Sequence, residues 1–223
     1  MRLLRQRKMA SYGSGSPIPR KIVDLMHGYC ASQALFSACE LGIFDALYVA
    51  EVPQSAKTLS GELSIDENAT SRLLDVLAHI ELVVKHAGSD GPLYSIAKEA
   101  YCLTSSSPSN VKGFSTFSLQ TGYPLFGNLT SAIRDGDSQW QRTFHATSEE
   151  LFKNWYASQE KTIAFLEGMR GISGPGAHFC VSAFDLSRFK TMCDLGGTNY
   201  WSNRICTIHI HEYYSLQLSQ LLS

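Results

Sequence analysis

Apolar residues recur every three or four positions along the first part of the chain, which is the spacing of a helix that buries one face. After Pro19, the apolar positions of this stretch are Ile22, Val23, Met26, Cys30, Leu35, Ala38 and Cys39. Gly42 interrupts the pattern, so we expect the helix to stop there and a short second helix to follow. Because the apolar surface is too broad for a helix with one covered side, we expect it to pack against another subunit as well as its own domain.

A further short helix is predicted within TLSGELSI, and a longer one within DENATSRLLDVLAHIELVVK. The buried stripe of the longer helix consists of Leu73, Leu74, Leu77 and Ile80. The runs LVVKH and PLYSI flank AGSDG, a turn-rich segment that is typical of a hairpin loop. Three helices followed by a hairpin is the order of elements in a winged helix, so the sequence predicts a winged-helix domain over residues 18–105.

Helical signals continue after this domain and predict a helical connector over residues 106–186. Gly136 is placed to end a helix after AIRD, and Thr147 with Glu150 forms a capping-box pattern at the start of another. We expect that helix to run from about residue 148 to 169. GISGPGA, with its three glycines and Pro175, then predicts a break or kink.

The segment KTMCDLGG, within residues 187–197, predicts a strand that ends in an acid and two glycines. This is how a nucleotide-binding turn begins, because glycines let the backbone approach a phosphate or nucleoside. A second strand ending in an acid would normally follow, and Glu212 stands at about the right distance. However, only seven residues separate Gly197 from Ile205, the start of the apolar run ICTIHIH, and parallel strands need a connection of a dozen or more. We therefore expect the first strand to lack a parallel neighbour.

Composition narrows the classes of function. The chain has 223 residues with a formal net charge of −1, which gives no overall field to attract nucleic acid or an anionic membrane. Its six cysteines include no CxxC pair and predict free thiols in a reducing compartment, so we expect a cytoplasmic protein. Glu40 and Asp45 interrupt the longest apolar stretch, which excludes a membrane span there. The basic segment 1–17 predicts a disordered tail.

The sequence offers two other candidate sites, a metal site and a DNA-binding surface. His209, His211 and Glu212 could ligate a metal, but alternate positions on one strand supply at most two ligands, so we predict no metal site. A winged helix could also read DNA, which is the alternative function. The helix that would enter the groove is acidic, and DNA affinity depends on lysine and arginine. Its charged residues are Asp66, Glu67, Asp75 and Glu81 against Arg72 and Lys85.

Five segments in order resemble the N-terminal half of the acetylserotonin O-methyltransferase family, which includes the acetylserotonin O-methyltransferase-like proteins. They are GYCASQALFSACELGIFDAL, SRLLDVLAHIELV, SAIRDGDSQWQRTF, EELFKNWY and SAFDLSRFKTMCDLGG. The resemblance implies a mainly α fold: a winged-helix dimerisation domain, a helical connector and the first strand of an incomplete Rossmann-like methyltransferase domain. Members of the family transfer a methyl group from S-adenosylmethionine to the 5-hydroxyl of N-acetylserotonin.

The resemblance also implies roles for individual residues. Tyr156 corresponds to an aromatic residue that contacts the cofactor, and Asp194, Gly196 and Gly197 correspond to the start of the cofactor's glycine loop. A second aromatic contact of the family falls at Ser173. No residue of the chain corresponds to the family's general base. The resemblance ends at Gly197, which implies that residues 198–223 form a divergent tail. It therefore implies a truncated form that is inactive alone and that pairs with itself or with a full-length subunit.

Overall fold

The structure is a computed structural model that describes residues 18–185, 188, 190–195 and 212–216. The predicted tail at residues 1–17 lies outside these residues, as do 196–211 and 217–223. The described chain is mostly helical. Its first helices are α1 (Arg20–Glu40), α2 (Ile43–Val49), α3 (Ala56–Leu63) and α4 (Glu67–His79).

Local sequence explains where these helices begin and end. Gly42 has φ +77°, in the left-handed region that glycine adopts without strain, and it separates α1 from α2 as predicted. The Ser55 hydroxyl accepts a hydrogen bond of 3.0 Å from the Thr58 amide and caps α3. The Asp66 carboxylate accepts one of 2.7 Å from the Ala69 amide and caps α4. Each cap satisfies an amide that the first helical turn would leave unpaired.

The predicted hairpin is confirmed. Strand β2 (Val83–Gly88) pairs antiparallel with β3 (Gly91–Ile96), with Val83 opposite Ile96 and Gly88 opposite Gly91. A two-residue strand that the sequence did not predict, β1 (Gln54–Ser55), pairs with the other edge of β3. The sheet order is therefore β1-β3-β2.

Residues 20–103, which the resemblance predicts to belong to a dimerisation domain and which we therefore call the dimerisation region, surround one apolar core. Leu74 and Leu77 of the predicted α4 stripe are fully buried, and Leu73 and Ile80 pack against the core from its margin. The other fully or almost fully buried large side chains of this core are Ile43, Phe44, Leu59 and Tyr94. The helices and the hairpin thus share a single buried interior.

A 3-10 segment (Lys98–Leu103) leads into residues 112–182, which we call the connector. Its elements are α5 (Lys112–Phe117), a π-helical turn (Ser118–Gly122), α6 (Tyr123–Gly127), α7 (Leu129–Asp135), α8 (Trp140–Phe144), α9 (Ser148–Trp155) and α10 (Gln159–Ser182). Gly136, at φ +66°, ends α7 as predicted. The predicted capping box is also present: Thr147 accepts from the Glu150 amide, and Glu150 accepts from the Thr147 amide.

The prediction of one helix over 148–169 with a break in GISGPGA was wrong. The break comes earlier, between α9 and α10, and α10 continues through Gly171, Gly174 and Pro175. A new helix can start there because the Ser158 hydroxyl accepts a hydrogen bond of 3.3 Å from the Lys161 amide. Gly171 serves a different purpose, since a Cβ at this position would lie 2.7 Å from the backbone nitrogen of Phe114 in α5.

The expectation of a strand without a parallel neighbour was also wrong. Strand β4 (Thr191–Leu195) pairs in parallel with β5 (Glu212–Leu216), and Thr191 lies opposite Glu212. The sequence argument placed the second strand too early in the tail. Because β5 starts at Glu212, the connection spans residues 196–211, which is long enough for a parallel crossover.

Candidate functional site

Tyr156 lies at the end of α9, where its amide donates a hydrogen bond of 3.3 Å to the carbonyl of Phe152. Its side chain is 45% exposed. The ring meets Phe165 of α10 edge to face, with centroids 5.6 Å apart. The ring is thus supported by α10 and is partly exposed, so a ligand can reach it.

Tyr156 belongs to a larger group of rings, which we call the aromatic shelf: Phe152, Trp155, Tyr156 and Phe165. Trp155 and Phe165 stack almost parallel, with centroids 4.8 Å apart and 13° between their planes. Phe152 contacts both rings edge to face, at 5.0 Å from Trp155 and 6.0 Å from Phe165. These are preferred aromatic geometries, so the four rings support one another.

Two further rings back the shelf. Phe117, at the end of α5, lies 6.0 Å from Trp155 and 6.2 Å from Phe165, and Trp140 of α8 meets Trp155 edge to face at 6.3 Å. Phe152, like Tyr156, is only half covered, with 50% of its side chain exposed. A supported and half-exposed aromatic surface can bind a planar apolar ring.

Sequence reasoning found Tyr156 through the resemblance but missed the other members of the shelf. The sequence analysis predicted one helix over about residues 148–169 and did not single out its aromatic residues. The usable signal was the aromatic content itself, because Phe152, Trp155 and Tyr156 lie within five residues and Phe165 follows on the next helix.

The other predicted cofactor residues lie at the end of β4. Asp194 occupies the next-to-last position of β4, opposite Ser215 of β5, and the carboxyl ends of both strands therefore lie side by side. Nucleotides bind beyond the carboxyl ends of parallel strands, so Asp194 is in the expected part of such a sheet. Gly196 and Gly197 lie outside the described residues.

The register of β5 does not support Glu212 as the second-strand acid. Glu212 lies opposite Thr191 at the amino end of β4, three positions before Asp194. At about 3.3 Å of rise per residue, that is roughly 10 Å from the carboxyl end, where a ribose would lie.

A network of hydrogen bonds ties the dimerisation region to the connector. The Asp45 carboxylate of α2 accepts bonds from the Ser105 amide at 2.6 Å, the Ser105 hydroxyl at 3.1 Å and the Lys112 ammonium at 2.6 Å. Burial alone would raise the pKa of Asp45, but these bonds outweigh it and hold that pKa below its usual value. The network fixes the start of α5, and hence Phe117, relative to α2.

Two family patterns match the chain in order. Residues 23–106 match the O-methyltransferase dimerisation domain, and residues 126–207 match the O-methyltransferase domain. The chain belongs to the O-methyltransferase family. The dimerisation match covers most of the dimerisation region, and the O-methyltransferase match takes in the aromatic shelf and β4.

The curated relatives support the same assignment. Acetylserotonin O-methyltransferase of Macaca mulatta is 32% identical over 186 residues, which is 82% of this chain and 54% of the relative. The human probable bifunctional dTTP/UTP pyrophosphatase/methyltransferase protein is 32% identical over 183 residues, covering 81% of this chain and 29% of that protein. The chain spans about half the length of the acetylserotonin O-methyltransferases it matches.

A solved O-methyltransferase structure agrees with the fold. Human N-acetylserotonin methyltransferase in complex with S-adenosylmethionine superimposes with a TM-score of 0.82 at 28% identity. The match covers 90% of this chain and 60% of the human enzyme. The resemblance seen in the sequence is therefore confirmed.

Ser173, where the family has its second aromatic contact by the sequence resemblance, lies within α10. Its hydroxyl donates a hydrogen bond of 3.0 Å to the Met169 carbonyl, one turn earlier in the same helix. This position therefore offers no ring to a cofactor.

The O-methyltransferase matches do not favour the DNA-reading alternative. On the surface formed by α4 and the hairpin, the Lys85 ammonium donates to the Asp75 carboxylate at 2.6 Å. The Tyr94 hydroxyl donates to the same carboxylate oxygen at 2.7 Å, and hydrogen bonds from Lys85 and Tyr94 hold the pKa of Asp75 below its usual value. The Asp75 carboxylate thus neutralises the positive charge of Lys85, which a contact to a DNA phosphate would need.

The described part of the chain contains no cluster of three or more histidine, cysteine or acidic residues that could hold a metal ion. No helix in this part is long and apolar enough to cross a bilayer. Cys30, Cys39 and Cys102 are free thiols.

Proposed function

We propose that this chain is the dimerising, acceptor-side part of an S-adenosylmethionine-dependent O-methyltransferase of the acetylserotonin class. The observation that carries the proposal is the ordered match to both O-methyltransferase domains, supported by the likeness to the human enzyme with its cofactor. In this proposal the dimerisation region is a winged helix that serves assembly, since helices and a hairpin follow one another in the required order.

The aromatic shelf would bind the acceptor. A hydroxyindole such as N-acetylserotonin has a flat ring that can lie against the half-exposed rings of Phe152 and Tyr156. The stacked pair of Trp155 and Phe165 keeps those rings in place. A fixed acceptor ring holds its hydroxyl in one position, and such positioning is a large part of catalysis between two substrates.

The residues that would hold S-adenosylmethionine are Tyr156, Asp194, Gly196 and Gly197. The described ones fit this cofactor, because Tyr156 exposes an aromatic ring and Asp194 lies where two parallel strands end together. The cofactor, when bound, supplies an electrophilic methyl group. Tyr156 would contact the cofactor as well as the acceptor, whereas Phe152 would contact the acceptor alone, so the shelf would face both substrates.

Dimerisation would use the first half of α1. Leu25 is 69% exposed, and Ile22, Met26 and Tyr29 are also largely exposed on the same helix. A monomer would leave this apolar surface in water, whereas a partner's copy would cover it. The proposed partner is a second copy of this chain or a full-length methyltransferase subunit in the cytoplasm.

A polypeptide of these 223 residues would dimerise but would not transfer a methyl group by itself. The acceptor hydroxyl must lose its proton as the methyl arrives, and a positioned base contributes about 10²–10⁴-fold to such a step. By the sequence resemblance, none of its residues corresponds to the family's base. A polypeptide of these 223 residues would therefore need an intact methyltransferase subunit as its partner for turnover.

The acceptor role is tested by saturation-transfer NMR with N-acetylserotonin and the 223-residue polypeptide. We expect transfer to the indole protons, and we expect Phe152→Ala to weaken it severalfold by removing one of the two half-exposed rings of the shelf. Tyr48→Ala is the matched control, because Tyr48 is a partly exposed ring of α2 that contacts Tyr101 instead of the shelf. Equal signals from all three proteins would contradict an acceptor role for the shelf.

The absence of independent turnover is tested separately with labelled S-adenosylmethionine and N-acetylserotonin. We expect no labelled product above a control without protein. Turnover by the purified polypeptide, free of any full-length enzyme, would contradict this part of the proposal while supporting its methyltransferase class.

A further inference from the structure

Helices α6 and α7 of the connector expose a group of apolar side chains. Phe126 is 72% exposed and Ile133 is 74% exposed, and Leu129 between them is half exposed. Their spacing of three and four positions is typical of one face over successive helical turns. Exposed apolar side chains that cluster in this way mark an interaction surface, whereas isolated ones need no explanation. We call these three residues the connector stripe.

The chain around the connector stripe carries no charge. Residues 113–133 include no aspartate, glutamate, lysine, arginine or histidine. Charged residues are depleted at the centres of protein–protein interfaces, whereas a surface that faces water usually carries them. Attraction to an anionic membrane would require lysine or arginine, which this segment lacks. The composition therefore favours a protein as the partner of the stripe.

The connector stripe continues the apolar surface of α1. Leu25 and Tyr29 of that surface share one face of α1 with Phe36, because the three residues recur at the spacing of helical turns. The ring of Phe36 meets the ring of Tyr123 in α6 edge to face, with centroids 6.5 Å apart. Phe126 follows Tyr123 by about one helical turn. Apolar side chains thus lead without a break from α1 to the stripe.

A second copy of this chain fits this continuous surface best. In a symmetric dimer the same surface of both subunits meets, so a charge near the symmetry axis faces a like charge. Residues 25–39 of α1, like the segment around the stripe, contain no acidic residue, lysine or arginine. Two such surfaces can meet without repulsion. The O-methyltransferase dimerisation domain that the chain matches also includes most of α1.

We propose that a second copy of this chain packs on the connector stripe as well as on α1, so that the dimer interface extends into the connector. The inference rests on the dimer of the proposed function. It adds a surface outside the matched dimerisation domain, which ends at residue 106.

The extended interface reaches the helix that backs the aromatic shelf. The side-chain amide of Asn128, between α6 and α7, donates a hydrogen bond of 3.0 Å to the Thr143 hydroxyl of α8. Trp140 of α8 in turn meets Trp155 of the shelf edge to face. A partner that packs on α6 and α7 therefore also restrains α8, and with it one of the rings that support the shelf.

The first test is the dissociation constant of the dimer, measured by sedimentation equilibrium of the purified 223-residue chain. Ile133→Glu should raise this constant about tenfold or more, because the glutamate would be buried against the partner without a counter-ion. Val76→Glu, at an exposed apolar position of α4, is the matched control and should leave the constant unchanged. A dimeric wild type with the same dissociation constant as Ile133→Glu would overturn this inference alone. A monomeric wild type would overturn the proposed dimer as well.

The second test is photo-cross-linking, which does not require Ile133→Glu to fold. The photoreactive amino acid p-benzoylphenylalanine in place of Ile133 should yield a covalent dimer on irradiation, and in place of Val76 it should not. Mass spectrometry of the products identifies the attached segment. Cross-links only within one chain would show that another segment of the same chain covers the stripe, and they would overturn the proposal. A dimeric protein that forms no cross-link from position 133 would also overturn it.

Discussion

The dimerisation region and the connector bury their side chains in different ways. Within the described residues, every buried hydrophobic side chain lies between Ala38 and Leu103, in the dimerisation region. The buried side chains of the connector are polar, namely Ser115, Thr121 and Gln139, while its aromatic residues cluster at the surface. Three glycine contacts, at Gly113, Gly168 and Gly171, bring α5 and α10 together in place of an apolar core.

This difference separates stability from ligand binding. A region with its own filled core keeps its shape without a partner for that core, and its remaining apolar surface on α1 is left for assembly. Rings that are stacked on one side and exposed on the other gain further burial only when something covers them. We therefore propose that the first region folds and dimerises and that the second contacts the substrates.

The largest difference in the free energy of unfolding is expected between the alanine variants of a buried and an exposed side chain of similar size. Leu77 is fully buried in the core, so Leu77→Ala should lower the free energy of unfolding by about 2–5 kcal/mol. Ile163 of α10 is half exposed, and Ile163→Ala should change it by no more than about 0.5 kcal/mol. Chemical denaturation at one fixed protein concentration measures both, and a similar cost at the two sites would remove the distinction between the regions.

The next largest effect on stability is expected at the glycine contacts between α5 and α10, which take the place of an apolar core in the connector. Gly113→Ala would push a methyl group into the Glu167 carbonyl, and we expect a loss of about 1–3 kcal/mol. Gly61 of α3 has open space around it, so Gly61→Ala should be neutral or stabilise by up to about 1 kcal/mol. Denaturation midpoints compare the two variants, and an unchanged midpoint for Gly113→Ala would show that the helices do not depend on this contact.

The Asp45 network joins the two regions and should respond to acid. Because its pKa is held below the unfolded value of about 4, Asp45 contributes stability that is complete above that value and is lost as pH falls through its folded pKa. Asp45→Asn should cost about 1–2 kcal/mol at pH 7 and less below pH 4. Unfolding curves at pH 7 and pH 3.5 test this, and a cost that stays constant with pH would contradict the ionic role.

A smaller effect is expected at the capping box of α9, which presents Phe152 and Trp155. Thr147→Ala removes the cap on the Glu150 amide and should lower stability by about 1 kcal/mol. Thr143→Ala is a matched control, because the Thr143 hydroxyl bonds within the connector and caps no helix start. Equal losses of stability in the two variants would mean that the Thr147 cap contributes no more than the hydroxyl of Thr143.

Local signals in the sequence were sufficient for much of the first region. Gly42, the AGSDG turn and the α4 stripe each depend on neighbouring residues, and all three were predicted correctly. The connector was harder because its glycines have a long-range purpose. In its local sequence, Gly171 is typical of a helix break. In the structure, the absence of a side chain at Gly171 allows α10 to contact Phe114, which lies 57 positions earlier in the chain.

The candidate site was predictable only in part for the same reason. Tyr156 and Asp194 followed from the resemblance, whereas Trp155 and Phe165 become one surface only when α9 and α10 fold together. The sequence analysis missed β5, the parallel neighbour of β4, because the two strands are separated by a long connection and their pairing is not a local feature of the sequence. Contacts between distant segments carry no short sequence signal.

Light scattering of the 223-residue chain after size exclusion, at tens of micromolar, measures directly whether α1 is the surface of assembly. We expect a dimer of the wild type and a folded monomer of Leu25→Glu, because Leu25 is exposed on the proposed interface of α1. Val76→Glu, at an exposed apolar position of α4, is the control and should remain a dimer. A monomeric wild type at that concentration, or a Leu25→Glu variant that stays dimeric, would contradict the assignment of assembly to this helix.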